Sequence, residues 1–284
     1  MRTIAIGSTR VHDVTDPSVH LFAYSPIAGV GAAPQRIVEF IRAGEDGAYV
    51  ANVFQGQRVI SIPGRIVAQD ADDYYALRRQ VSELAIPSRD AGGNLLPKLC
   101  TFTNDDGTAL TIPGQVTNVL LPDELMRSAP YSFDIKCQDW FFSSQAAKVL
   151  NLQVATGGGV VLPVVLPAVS ATGSGNSGSL SNSGDVAAFP AVTVQGPLTN
   201  PRIYNLTTNQ YSAFALTLGP SDVLTVSMAQ KTASLNGGSA MQYLVSGSTW
   251  WTLPPGSSSI LFTSSTPVDT GTVAVSFYDA YSGI

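Results

Sequence analysis

Ala213-Phe214-Ala215-Leu216-Thr217-Leu218-Gly219-Pro220-Ser221-Asp222-Val223-Leu224-Thr225-Val226 decides the fold class. Phe214, Leu216 and Leu218 alternate with Ala213, Ala215 and Thr217, and a repeat of two is that of side chains on a pleated strand. The face with the large side chains is the expected core side. Gly219-Pro220 breaks the pattern, and Val223 starts another strand. The same grammar extends in both directions. Ala191–Gln195, Arg202–Leu206, Val223–Ala229, Met241–Val245, Ser259–Phe262 and Thr272–Tyr278 read as further short strands. Gly196-Pro197, Thr208-Asn209, Asn236-Gly237-Gly238 and Pro254-Pro255-Gly256 separate them. With no stretch suited to a useful helix, this half predicts an antiparallel β-sandwich.

Upstream, residues 173–184 read Gly-Ser-Gly-Asn-Ser-Gly-Ser-Leu-Ser-Asn-Ser-Gly. One apolar side chain cannot build a core, so this stretch predicts a flexible linker or long exposed loop. The expected organisation is an N-terminal domain over 1–172, a linker over 173–182, and a sandwich over 183–284.

The N-terminal half also alternates. Val50, Asn52, Phe54 and Gly56 suggest a strand, and Arg58–Val67 suggests a strand, a Pro63-Gly64 turn and a second strand start. A helix follows over about 70–86. Asp70 is the expected N-cap, Tyr74, Leu77, Val81 and Leu84 form one stripe, and Pro87 ends it. Cys100–Thr103, an Asn104-Asp105-Asp106-Gly107 turn and Ala109–Pro113 form a hairpin. Tyr131–Cys137 is the last N-terminal strand. Mostly strands with one packed helix predict an α+β or sandwich-like domain. The Gly/Ala/Pro-rich first 44 residues suggest an extended arm around a neighbour.

Composition bounds the function. Charged residues are 12% of 284, and residues 151–284 carry only Arg202, Lys231, Asp185, Asp222, Asp269 and Asp279. Such a surface sets up little repulsion between copies and suits permanent assembly. A net charge of -5 and no Lys/Arg cluster argue against broad nucleic-acid binding. Cys100 and Cys137 sit beside apolar residues and read as two buried thiols; pairing from neighbouring strands is the alternative. The N-terminus lacks signal-peptide character, and Val160–Pro167 is too short to span a bilayer, so no membrane insertion is expected.

Chemistry-bearing patterns are missing. His12 and His20 are the two histidines, and His12-Asp13 with Asp16 reads as a solvated loop rather than an ion site. No Gly-x-Ser-x-Gly elbow appears, and Gly157–Gly159 lacks the Lys-Ser/Thr of a phosphate loop. Asp70, Asp72, Asp73, Asp105 and Asp106 could supply paired acids, yet helix capping and turn formation explain them. No catalytic, cofactor or metal site is expected, and no enzyme activity. Tyr243, Trp250 and Trp251 divide between two readings. Core packing plus a subunit contact is one; a platform for a sugar ring is the other.

Asn182-x-Gly184-Asp185-x4-Pro190-x5-Gly196-Pro197-x2-Asn200-Pro201-x-Ile203 resembles the opening of the C-terminal domain of siphophage distal tail proteins. Leu235-Asn236-Gly237-Gly238, followed by Trp251-x-Leu253-x-Pro255-Gly256-x3-Ile260-x-Phe262, extends the resemblance. There Asn236-Gly237 suits a tight turn and Gly256 tolerates positive φ. Ile62-x-Gly64-x-Ile66, the helix with Tyr74, Tyr75, Leu77 and Arg78, and Cys137-x-Asp139 carry it more weakly in the first half.

The resemblance implies a mainly β protein: a β-rich ring-forming domain with its helix, then a galectin-like antiparallel β-sandwich. It further implies a homo-hexameric adaptor ring at the distal end of the virion tail, made in the host cytoplasm. Implied partners are the tail tube protein, the tail-tip hub or tail-associated protein, the tape-measure protein and receptor-binding fibres. The genome would pass through the lumen without specific binding, and the acidic balance suggests an acidic wall. A sandwich that also binds host-surface carbohydrate is the alternative role.

Overall fold

The computed structural model describes residues 1–16, 18–24, 26–122, 128–154, 176–266 and 269–284. It divides into two compact units, Met1–Gln145 with Tyr281–Ile284, and Ala146–Ala280.

Unit one begins with β1 (Thr3–Ile6), β2 (Thr9–Asp13), β3 (Leu21–Ala23), β4 (Gln35–Ile41), β5 (Ala48–Gln55) and β6 (Val59–Val67). Then come α1 (Ala71–Leu84), the short β7 (Ser88–Arg89) and β8 (Leu95–Leu96), β9 (Lys98–Thr103), β10 (Ala109–Leu120), β11 (Ser128–Cys137) and β12 (Phe142–Ser144). Its main sheet runs β2-β1-β9-β10-β11-β6-β3, with antiparallel pairings throughout. Alternation decides what is buried. Ile60, Ile62 and Ile66 of β6 meet Tyr131, Phe133 and Ile135 of β11 in one core with Ile4, Phe102 and Ile112. Each large side chain so buried contributes about 1.5–3 kcal/mol.

The helix forms as the sequence predicts. Asp70 Oδ1 accepts from the Asp73 N–H at 2.8 Å, satisfying one of the orphan donors of the first turn. Tyr74, Val81 and Leu84 enter the core, and Leu77 packs against it. At the other end Lys98 Nζ donates to the Leu84 carbonyl at 2.6 Å, a cation at the negative helix pole.

Two expectations for this unit need correction. Pro63-Gly64 is no turn: β6 runs unbroken past both residues, with Pro63 opposite Ser132 and Gly64 opposite Tyr131. Gly64 is needed because the Tyr131 ring lies against its α-carbon, where a Cβ would collide with that ring and the Phe22 carbonyl. Nor are the first 44 residues one free arm. β1, β2 and β3 are members of the main sheet, and Ile4, Ile6, Val11 and Leu21 are core.

Unit two holds β13 (Lys148–Gln153), β14 (Ser177–Asn182), β15 (Ala191–Gln195), β16 (Leu198–Thr199), β17 (Arg202–Asn205) and β18 (Gln210–Ala213). β19 (Thr217–Leu218), β20 (Val223–Ser227), β21 (Thr232–Leu235), β22 (Gly238–Ser239), β23 (Gly256–Thr263) and β24 (Thr272–Phe277) follow. The sheets are β13-β24-β15-β20-β21-β22 and β14-β23-β17-β18, with β16 and β19 as a small extra pair. Val192, Val194, Leu224, Val226, Val273 and Val275 of the larger sheet are buried, as are Ile203, Ile260 and Phe262 of the smaller one. Phe214, Leu216 and Leu218 are buried while Ala215 and Thr217 are exposed, as the alternation predicts.

The linker over 173–182 is corrected where it is described. Ser177–Asn182 is β14, paired along its length with Leu261–Gly256 of β23. A Ser/Gly strand gains its order from the neighbour's ladder, which composition does not reveal. The two compact units divide after Gln145, and the last four residues belong with unit one. Residues 173–175, Gly157–Gly159 and Val160–Pro167 lie outside the described residues. Met241–Tyr243 is a single 3-10 turn, not a strand. Asn236 (φ 50°) and Gly237 (φ 86°) make the tight turn between β21 and β22, and Gly256 (φ 91°) opens β23.

Candidate assembly surfaces

β4 and β5 form a two-stranded hairpin of their own, and all fifteen of their residues are exposed. The base is closed by the Gly56 N–H donating to the Pro34 carbonyl at 2.6 Å. Pairing runs Ile37–Val53, Val38–Asn52, then, past a bulge at Val38/Glu39, Glu39–Val50, Phe40–Tyr49 and Ile41–Ala48. One face thus carries Ile37, Val53, Val50 and Ile41, and the other Val38, Phe40, Tyr49 and Phe54. Ile41 is 85% exposed and Phe40 64%, although neither belongs in water. The Arg42 guanidinium lies 4.2 Å from the Tyr49 ring centre and Arg36 lies 5.3 Å from that of Phe54. A lone hairpin is marginal in water, and one greasy on both faces has open edges that invite a further strand.

A second surface is the face of the main sheet opposite the core. Ser61, Asp134 and Thr117 stand in one row across β6, β11 and β10. The Ser61 hydroxyl donates to Asp134 Oδ1 at 2.6 Å and Asn118 Nδ2 to Oδ2 at 2.8 Å. These bonds, the serine's first, hold the Asp134 carboxyl below its ordinary range. Arg65 and Lys136 are exposed on the same face, so it is mixed rather than acidic.

The other predicted residues fall into place as structure. Asp13 accepts from the Thr15 hydroxyl at 2.7 Å and its N–H at 2.8 Å, and these bonds lower its pKa. Asp73 accepts from the Gln69 N–H at 2.9 Å and lies 3.1 Å from His20 Nδ1. Asp106 caps Thr108, and Asp105 is exposed in the hairpin turn. Among the described residues no three His, Cys, Asp or Glu side chains gather as a metal site. Cys100 and Cys137 are both buried free thiols; burial raises the first to about 12 and the second to about 11. No helix among the described residues is long and apolar enough to cross a membrane.

The aromatic candidates separate. Trp251 is wholly buried, and its indole N–H meets no acceptor among the described residues, so it presents nothing to a sugar. Trp250 is half-buried, and Tyr243 is exposed on the 3-10 turn. The hairpin itself was missed by sequence reading, which took only its second strand. Ile37-Val38 and Phe40-Ile41 place apolar groups at both parities, a pattern usually read as a buried strand.

Residues 183–281 match the family model of the siphovirus-type tail component, C-terminal domain. No curated protein matches the sequence. The crystal structure of the SPP1 phage Dit protein, described as a paradigm of the hub adsorption apparatus in phages infecting Gram-positive bacteria, superposes with a TM-score of 0.66. The match covers 98% of both chains at 12% identity. A structure of the phage P2 baseplate, in its activated conformation with calcium, covers 97% of this chain and 98% of that one at 10% identity, with TM-score 0.47. The resemblance drawn from the residues is thereby borne out: the chain has a mainly β, Dit-like fold, and its residues 183–281 match the siphovirus-type tail component domain.

Proposed function

We propose that the chain is a structural subunit of a phage tail tip, closing with copies of itself into an adaptor ring between the tail tube and the hub or baseplate. The observation that carries this reading is the β4–β5 hairpin, whose two apolar faces have no core of their own. A neighbouring subunit that accepts the hairpin would bury those side chains and pair its edges. Repeated head to tail, such a contact closes into a ring. Six copies follow from the resemblance to distal tail proteins, as do receptor-binding fibres and the tape-measure protein as partners.

Genome passage suits the face of the main sheet opposite the core, where Ser61, Thr117 and Ser132 stand beside charges of both signs. An acidic wall is not proposed, because Arg65 and Lys136 share that face with Asp134. A structural role is the whole of the proposal; no catalytic step is assigned. Sugar binding through Tyr243, Trp250 and Trp251 is set aside because Trp251 is core.

Single-particle electron microscopy of the purified full-length chain, with its mass in solution, tests the reading. A six-fold ring with an open lumen supports it. A chain that stays monomeric both alone and when mixed with tail tube and hub proteins overturns it.

A further inference from the structure

Arg202 is one of two cations in the last 134 residues, and it is held in an unusual way. It stands on β17, half-buried, with its guanidinium 5.3 Å from the Tyr211 ring centre and 5.7 Å from that of Tyr204. Its Nη1 donates to the Tyr204 hydroxyl at 2.8 Å, and the two rings lie 5.4 Å apart. No carboxylate among the described residues pairs with it. Asp269 is engaged elsewhere, accepting from the Thr199 N–H at 2.8 Å. An arginine has five N–H donors in a planar fork, so most of this fork is unspent and already oriented by aromatic packing.

Beside it lies a recess of about 350 Å³. This is at the lower end of the ~300–1,000 Å³ typical of small-ligand sites. Ala213, Ala215 and Val245 give its lining an apolar part, and Asn200, Ser264 and Ser265 a polar one. Asn200 Nδ2 donates to Ser265 Oγ at 3.2 Å, so amide and hydroxyl meet there. Beyond the tyrosines the sheet face continues through Leu261 to the hydroxyls of Ser177, Ser179, Ser257 and Ser259. An apolar and hydroxyl- and amide-bearing lining, two mutually tilted phenols and one guanidinium without a carboxylate together suit a sugar ring bearing a carboxylate. A neutral sugar would leave the guanidinium without its anion, and a bare anion would leave the apolar and hydroxyl lining unused.

We propose that the outer face of the β14-β23-β17-β18 sheet binds an acidic oligosaccharide. Arg202 takes the carboxylate of one residue in the recess, and Tyr204 and Tyr211 stack on the next. The site is apart from Trp251 and does not depend on ring assembly.

Calorimetric titration of the full-length chain with trigalacturonate and with neutral galactotriose tests this. The acidic trisaccharide is expected to bind about tenfold or more tightly than the neutral one. Arg202→Gln should weaken binding of the acidic trisaccharide about tenfold and so remove that preference. Ser265→Ala, on an exposed loop, is expected to weaken acid binding about threefold without affecting the fold. Equal binding of the two sugars, or binding of neither by the wild-type chain, overturns the proposal. Complete displacement by an equal concentration of inorganic phosphate also overturns it, since that marks a simple anion site.

Discussion

Arg58 Nη2 donates to the backbone carbonyl of Ser282 at 2.6 Å, joining residues 224 positions apart within unit one. The arginine is fully buried, and no carboxylate among the described residues pairs with it. Four carbonyls solvate it instead, those of Trp140, Gly29, Gly31 and Ser282, and it lies 4.6 Å from the Phe142 ring centre. Burial lowers its pKa, yet an arginine keeps its proton at any ordinary pH.

Arg58→Met should therefore cost more than a cavity of its size. It would strand several buried carbonyls at about 1–3 kcal/mol each, so a loss of at least about 3 kcal/mol in urea unfolding is expected. A loss below about 1 kcal/mol would show that water replaces the guanidinium easily. Removing residues 282–284 should lower stability in the same direction, by less.

The hairpin gives the assembly prediction. Phe40→Glu with Ile41→Glu should leave the monomer's unfolding midpoint nearly unchanged, because exposed substitutions usually move stability by about 0.5 kcal/mol or less. Ring formation should be abolished, as read by sedimentation. Intact rings from this variant would place the subunit contact elsewhere.

Gly64 is constrained by its neighbour rather than by its own backbone. Gly64→Ala should destabilise by about 1–3 kcal/mol as its methyl meets the Tyr131 ring. Adding Tyr131→Leu to Gly64→Ala should cost less than the two single changes summed, a coupling readable from a double-mutant cycle. Strict additivity would count against the contact.

The two thiols set an alkaline limit. Their folded pKa values, about 12 for Cys100 and about 11 for Cys137, exceed the ordinary 9.0. Above pH 9 the unfolded chain releases these protons while the folded chain keeps them, so stability is complete below pH 9 and declines toward the folded values. Replacing both residues by alanine should flatten that decline. In the native protein neither thiol should react with a thiol reagent at pH 8, and both should after unfolding; fast native labelling would contradict their burial.

The sequence by itself determined whatever follows from local pattern. Period-two alternation marked Phe214, Leu216 and Leu218 as core, Asp70 and Pro87 bounded the helix, and Asn236-Gly237 fixed a turn. Each depends on neighbours within a few residues. The tertiary structure alone decided the rest. β14 is mostly Ser and Gly, with Leu180 its single apolar side chain, and becomes a strand because β23 lies beside it. Gly64 reads as a turn until the Tyr131 ring is placed against it. The β4–β5 hairpin shows itself only as a pair, since the sequence marks its second strand alone, and Trp251 and Tyr243 part company although they lie just eight positions apart. Arg202 became notable only when Tyr204 and Tyr211 faced it across two strands. Burial, pairing and charge compensation are properties of what surrounds a residue, and distant segments supply those surroundings.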